Sequence, residues 1–325
     1  MSNSMKKKTA WTALLLCFSL TLTGCMTSPP ETLLRETAED QHLISASIGD
    51  LTPDSQTITL YFRYGDTEYL APERREIQVK RNESLEKTIT AALIQGPSSS
   101  AVNHSSLFPP GTEVLAATVQ GETLFITLNE AFLGRYADEP TDSASGEGVL
   151  RRQLCLQSLA ATLTEAGLCA QVQALVYRSA VQTSSMRLQA GFLDRSNDDT
   201  LLPPITRDEN RLLTPYNTAC LILQSWQTQD WQFLYDMTAR EGESARENEQ
   251  NAFDAFAAAR PLAAFSLSPG TVSYDGQTAV LTASLTVLTK GAEQNVAGYP
   301  LLLLREDGVW KMDYERLLTM MNGLQ

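Results

Sequence analysis

Few side chains in this chain have the type and spacing for chemistry. Cys25 stands apart from the other cysteines: it directly follows Leu22-Thr23-Gly24, at the end of an uncharged run from Ala10 to Leu22. His42 and His104 are the only histidines. His42 falls in a polar tether, and His104, in a Ser-rich loop, reads as a solvated imidazole rather than a base or ligand. No Cys or His spacing suits zinc, and no Gly-rich loop is built to cradle phosphate. No Gly-x-Ser-x-Gly nucleophile elbow occurs. Asp138, Glu139 and Asp142 gather oxygen ligands without EF-hand order, so a solvated acidic loop is the better reading than a calcium site. Glu73, Arg74, Arg75 and Glu76 read as a solvated strand edge. Trp226, Trp231, Phe233 and Tyr235 sit at helical spacing and read as core, with the lining of a pocket as the alternative. The sequence thus predicts no catalytic residue, no cofactor site and no metal site.

The setting of Cys25 resembles the lipobox of bacterial lipoproteins. Lys6, Lys7 and Lys8 precede the apolar run, and small residues precede the cysteine, which is the layout of a secretory signal. The run is about 13 residues, too short for a span, which needs roughly 20. The resemblance implies cleavage before Cys25 and lipidation of its thiol with a diacylglyceryl group. Two acyl chains anchor where one binds only reversibly. A plain secretory signal that happens to contain a cysteine is the alternative. On this reading residues 1–24 are the signal and residues 25–55 a flexible tether, polar and carrying Pro29, Pro30 and Pro53.

Charge narrows the partners. Losing the three leader lysines takes the formal charge from −13 to −16. Such a chain has no electrostatic reason to bind nucleic acid or anionic headgroups, so its contact with the cell membrane should come through the acyl anchor on Cys25. Cys155, Cys169 and Cys220 remain after processing, an odd count that describes no disulfide framework. Cys155 and Cys169 lie about 20 Å apart along a straight helix. All three read as small buried hydrophobes, with one bridge to Cys220 as the alternative.

Periodicity predicts the elements that position these residues. Ile58, Leu60, Phe62 and Tyr64 alternate on one face of a strand. A second extended piece covers Glu76 to Lys80, and Asn82 can cap a helix bearing Leu85, Ile89, Ala92 and Leu93, stopped by Gly96-Pro97. A hairpin turns at Gln120-Gly121 between Val114–Val119 and Thr123–Leu128. Residues 134–148 are expected to form a mobile loop. A long helix with Leu156, Leu159, Ala160 and Leu163 follows, then a strand with Val172, Ala174 and Val176. The expected domain is a sheet with two helices on one face. Residues 194–211 read as a linker. Beyond it Thr214 caps a helix with Pro215 at its first position. Helical patterns give way after Pro261 to a curved antiparallel sheet, in which Leu281, Ala283, Leu285 and Val287 point inward. The fold class is α+β, with domains at 56–193 and 212–325.

Residues 57–193 resemble a GerMN domain, the sporulation and germination module. The likeness rests on Leu60-Tyr61-Phe62, Tyr69-Leu70-Ala71-Pro72-Glu73-Arg74-Arg75, Ala92-Leu93-Ile94-Gln95-Gly96-Pro97 and Phe108-Pro109-Pro110-Gly111-Thr112-Glu113-Val114-Leu115. Thr127-Leu128-Asn129-Glu130-Ala131-Phe132 completes it, with Asn where the family usually has an Asp-Leu-Ser-type stretch. The second domain is similar to the nuclear-transport-factor-like (cystatin-like) fold in its helix-then-sheet order and its Gly308-Val309-Trp310-Lys311 ending. The resemblance implies an extracytoplasmic envelope protein of a Gram-positive, spore-forming lineage. GerMN domains look like ring-building motifs and are not known for catalysis, so the family motifs read as fold-defining turns. The expected function is a non-enzymatic, lipid-anchored interaction module on the outer face of the cytoplasmic membrane, with envelope or sporulation proteins as partners. A ligand-binding lipoprotein with a pocket in the C-terminal domain is the alternative, and a cell-wall hydrolase a third.

Overall fold

The computed structural model describes residues 54–101, 103–139, 146–178, 184–239, 246–289 and 292–323. Cys25, His42 and Asp142, with the signal and nearly all of the tether, lie outside them. Residues 52–325 cluster as one compact unit. No helix among the described residues is long and apolar enough to cross a membrane.

The strands of the N-terminal half divide between two sheets. β1 (Asp54–Tyr64) pairs antiparallel with β2 (Leu70–Val79), and the short β3 (His104–Ser105) adds to the end of β1. α1 (Leu85–Gln95) lies between β2 and β3 in the chain and is capped by Ser84, whose side chain accepts from the Lys87 N–H at 3.3 Å. β4 (Val114–Gln120) and β5 (Thr123–Asn129) form the expected hairpin, with Gly121 in its turn at φ 60°. β6 (Gln171–Tyr177) runs parallel to β5, which demands a crossover, and α2 (Gly146–Glu165) supplies it. β7 (Ser185–Arg187) closes the sheet order β4-β5-β6-β7. The single helical turn α3 (Gly191–Asp194) follows, and β8 (Ile205–Thr206) also pairs with β6. Each of α1 and α2 touches strands of both sheets, and Leu60, Phe62, Ile89, Leu93, Leu124, Ile126 and Leu159 share one buried core.

β1 shows how a helix can stand in for a strand. The alternating pattern leaves Tyr61 and Arg63 on the polar side, yet both are buried. β3 pairs only with Arg63 and Tyr64, so the backbone of Tyr61 has no strand neighbour on that side. α2 fills the gap: the Tyr61 N–H donates to Thr162 Oγ1 at 3.1 Å, and Ser158 Oγ donates to the Tyr61 carbonyl at 2.6 Å. Buried main-chain groups need such partners.

The C-terminal half places helices first and its main sheet second, as expected. α4 (Pro215–Thr228) begins at Thr214, whose side chain accepts from the Asn217 N–H at 3.2 Å. α5 (Trp231–Asp236), β9 (Thr238–Ala239) and α6 (Arg246–Ala258) follow. β10 (Leu262–Val272), β11 (Thr278–Thr289), β12 (Ala292–Glu306) and β13 (Val309–Asp313) are antiparallel, β9 joins parallel at the far edge, and α7 (Tyr314–Gly323) ends the chain's described part. Bulges interrupt the β10–β11 and β11–β12 ladders, and bulges bend strands.

The tip of the β1–β2 hairpin belongs to the second core. Tyr64 and Ala71 pack with Leu213, Trp226, Leu234 and Trp310. The Leu213 N–H donates to the Leu70 carbonyl at 2.9 Å. The β12–β13 turn abuts β2: Asp307 and Gly308 both have positive φ, and a Cβ on Gly308 would stand 3.2 Å from the Pro72 carbonyl. A side chain there meets both strain and contact.

Candidate interaction surface

Two of the sequence motifs meet in space. Glu73 and Arg75 are drawn from the stretch expected to be a solvated edge, but Glu73 is buried and Arg75 half-buried. Arg75 donates to Glu73 through Nε at 2.9 Å, to the Ala92 carbonyl at 3.1 Å and to the Gly96 carbonyl at 2.9 Å, so it caps the C-terminus of α1. The other Glu73 oxygen accepts from the Ser98 N–H at 3.0 Å. This latch ties β2 to Gly96-Pro97 and corrects the solvated-edge reading for these two residues; Arg74 and Glu76 are exposed. The Pro109–Thr112 turn is likewise structural. Asn129 Oδ1 accepts from the Glu113 N–H at 3.1 Å, and its Nδ2 donates to the Gly111 carbonyl at 2.9 Å. An aspartate could make only the first of these bonds.

His104 is not a solvated loop residue. It pairs with Tyr64 as part of β3, and its ring stands edge-on to Phe62 and Tyr64 at 6.4 and 5.8 Å between centroids. Both ring nitrogens are buried without a well-formed hydrogen bond. Burial holds the imidazole pKa below its ordinary value, against weaker pulls upward from Glu73 and the Pro72 carbonyl. The unfolded chain therefore binds a proton more readily than the folded one, and stability falls as pH drops below about 6.5. His104→Gln removes that titration. Urea unfolding at pH 7.5 and 5.5 should show a smaller acid loss in the variant than in the wild type; equal losses would refute the assignment.

In the acidic loop Asp138 is exposed, as expected, but the Glu139 side chain is not solvated. Arg152 Nη1 donates to Glu139 Oε1 at 2.6 Å, with both side chains 1 % exposed. Arg152 Nε reaches the Leu193 carbonyl at 2.6 Å, and Arg195 stands 3.6 Å from the other Glu139 oxygen. Burial alone would raise the Glu139 pKa; the bonds from Arg152 and the Tyr136 N–H outweigh it and hold the carboxyl below its usual range. Asp138 pairs with Arg151 at 2.6 Å. No group of acids, histidines and cysteines among the described residues could hold a metal ion.

The aromatic set is core. Trp226 is fully buried and donates from Nε1 to the Arg260 carbonyl at 2.8 Å, while Tyr235 packs against Phe253 and Tyr314. Phe233 stands edge-on to Tyr64. Cys155, Cys169 and Cys220 are free thiols; Cys155 is buried and the other two half-buried. Burial pushes the Cys155 thiol well above its usual pKa, which leaves it inert.

What remains outward is the edge of the second sheet. Among the described residues β4 pairs only with β5, so one side of its backbone ladder has no strand partner there. None of its residues is charged, and Leu115 and Val119 are 40 % and 42 % exposed. Edge strands in soluble proteins are usually guarded by charge or proline. Here the guard is only a bulge between Val114 and Ala116. Seven uncharged residues before a turn, in a chain of net charge −13, were a visible signal that alternation alone did not exploit. The half-buried latch and the Arg152 pair had none, since the backbone groups they grip are distant in sequence.

Comparison with known proteins agrees with this domain. Residues 59–176 match the family Germane, described as sporulation and spore germination. No curated protein matches the sequence. Among solved structures, a candidate lipoprotein from Clostridium perfringens is 19 % identical, covering 49 % of this chain and 90 % of its own, at a TM-score of 0.27. The tandem GerMN domains of the sporulation protein GerM from Bacillus subtilis are 15 % identical over 53 % of this chain and 50 % of theirs, at 0.30. The first GerMN domain of the same protein is 16 % identical over 45 % and 97 %, at 0.28. Residues 59–176 are thus similar to the Germane family, described as sporulation and spore germination.

Proposed function

We propose that this chain is a non-enzymatic, lipid-anchored interaction module on the outer face of the cytoplasmic membrane, serving assembly in sporulation or germination. The observation that carries the reading is the open, uncharged β4 edge on the Germane-like domain. An extended segment of a partner can continue that sheet through main-chain hydrogen bonds, with Leu115 and Val119 offering apolar contact. The ionisable side chains do not favour catalysis: Glu73, Glu139 and Asp138 are each committed to an arginine. Cys25 would hold the anchor, and domains at 56–193 and 212–325 would correspond to the two cores. A second reading, ligand binding in the C-terminal half, has one feature in its favour, a shallow groove between β12 and α7 lined by Tyr299, Met312, Arg316 and Met320.

The test is capture from membranes with the anchor intact. Thr118 is exposed on β4, and Thr118→Lys adds a guard charge to the edge without touching the core. It should abolish capture of partners retained by the wild type while leaving the thermal transition in place. Retained capture would sink the β4 reading. Cys25→Ala should lose labelling by a fatty-acid probe; a mutant labelled as strongly as wild type would sink the anchor.

A further inference from the structure

In the C-terminal half one strand outruns its neighbour. β12 pairs with β13 only from Leu303 to Glu306, so Tyr299 to Leu302 have no β13 residue beside them. The chain leaves β13 at Asp313 and enters α7, which walls the vacant place. A groove of about 180 Å³ results. Leu301, Met312 and Met320 are its buried lining, while Tyr299 is half-buried and Arg316 and Thr319 are exposed. Arg316, Thr319 and Met320 fall at i, i+3 and i+4 and so share one side of α7. Two observations single out Arg316. Other cations of this half are engaged: Arg260 donates to the Phe256 carbonyl at 3.0 Å, Arg305 to the Gly308 carbonyl at 3.1 Å, and Lys311 to Glu306 at 2.6 Å. The Arg316 guanidinium has no such partner among the described residues; only its main-chain N–H is taken, by Asp313 Oδ1 at 2.9 Å. It also stands in the first turn of α7, the end where the helix dipole opposes a cation and favours an anion. No acid lines the groove, although the chain carries a net charge of −13. Asp313 is committed to the Arg316 N–H, and the exposed Glu315 is not part of the wall.

Resting on the second functional reading above, we propose that this groove binds a small monocarboxylate with a short hydrocarbon body. The carboxylate pairs with the Arg316 guanidinium, whose planar fork matches its two oxygens, and the Thr319 hydroxyl gives it a further donor. The hydrocarbon lies on Leu301, Met312 and Met320, where unbranched methionine side chains adapt to its shape. An inorganic anion would leave that apolar lining unused. Size sets the other limit: pockets for drug-sized molecules begin at about 300 Å³, so a lipid or a long peptide does not fit.

Hexanoate is the probe, and methyl spectra of the full-length chain with isotope-labelled methionine are the readout. Titration should move the Met312 and Met320 signals and leave the other methionines in place. Hexanol, of the same length without the charge, should bind about tenfold or more weakly. Arg316→Gln should bring hexanoate down to the affinity of hexanol and leave hexanol unchanged. The variant should fold, since an exposed charge contributes little to stability. Arg74→Gln, which removes another exposed arginine on β2, should alter neither affinity. Equal binding of hexanoate and hexanol would overturn the carboxylate class and keep the ligand-binding reading. So would an Arg316→Gln variant that holds hexanoate as tightly as wild type. Met312 and Met320 signals unmoved by either probe would overturn the site and that reading together.

Discussion

Glu139→Ala should cost about 3–5 kcal/mol of stability, the loss typical of breaking a buried ion pair from one side. The substitution leaves the Arg152 guanidinium covered, 1 % exposed, with its counter-charge gone. It also removes the acceptor of the Tyr136 N–H and the anion beside Arg195. Much of the loss is the penalty of the stranded cation rather than the worth of the pair. Glu139→Leu combined with Arg152→Met should therefore recover a large part of it, as apolar replacements of similar volume often do. The pH dependence has a definite sign. Because the folded carboxyl titrates below its usual range, its contribution is present above the ordinary carboxylate pKa and is lost as pH falls through the folded value. Urea unfolding of the wild type, the single variant and the double variant at neutral pH checks the ordering. A single variant within about 1 kcal/mol of wild type would refute the assignment, since a value that small belongs to exposed pairs.

Tyr64→Ala should be comparably severe, at about 3–5 kcal/mol for a fully packed aromatic. Tyr64 stands at the end of β1, yet its ring lies in the second core, edge-on to Phe233 at 6.4 Å and to His104 at 5.8 Å. Its hydroxyl accepts from Asn103 at 3.3 Å. Apart from Trp11, every tryptophan (Trp226, Trp231 and Trp310) lies in the C-terminal half. Their fluorescence thus reports on a part of the chain more than 160 residues from the mutation. The tryptophan transition should move together with the circular-dichroism transition. If fluorescence alone stayed at the wild-type midpoint, the two halves would unfold independently and the hairpin tip would be a spectator.

The long, regular elements were legible because one local rule decides each of them. Gly96-Pro97 ends α1, Thr214 and Pro215 start α4, and the alternation of Leu281 to Val287 sets the inward face of β11. The short β7, β8 and β9 were not, since two or three residues carry no period and pair only because of where the rest of the fold places them. Side-chain roles followed the same divide. Trp226 could be assigned to the core from spacing. His104, Glu139 and Arg75 looked solvated because each is polar among polar neighbours, and what buries them comes from elsewhere: β1, α2 and the end of α1. The family motifs were more informative than their individual residues suggested, because Glu73 and Arg75 from one motif grip the backbone of the next.

The three free thiols among the described residues give the molecule a set of native timers. Cys155 sits in the N-terminal core with no exposure, Cys169 lies half-covered just beyond α2, and Cys220 lies half-covered on α4 in the C-terminal half. A thiol reagent reaches each only as fast as its own surroundings open, and such openings range from local fraying to global unfolding. Labelling rates read by mass spectrometry would thus order the loosening of the two halves in the unaltered chain, with Cys155 marking the slowest event.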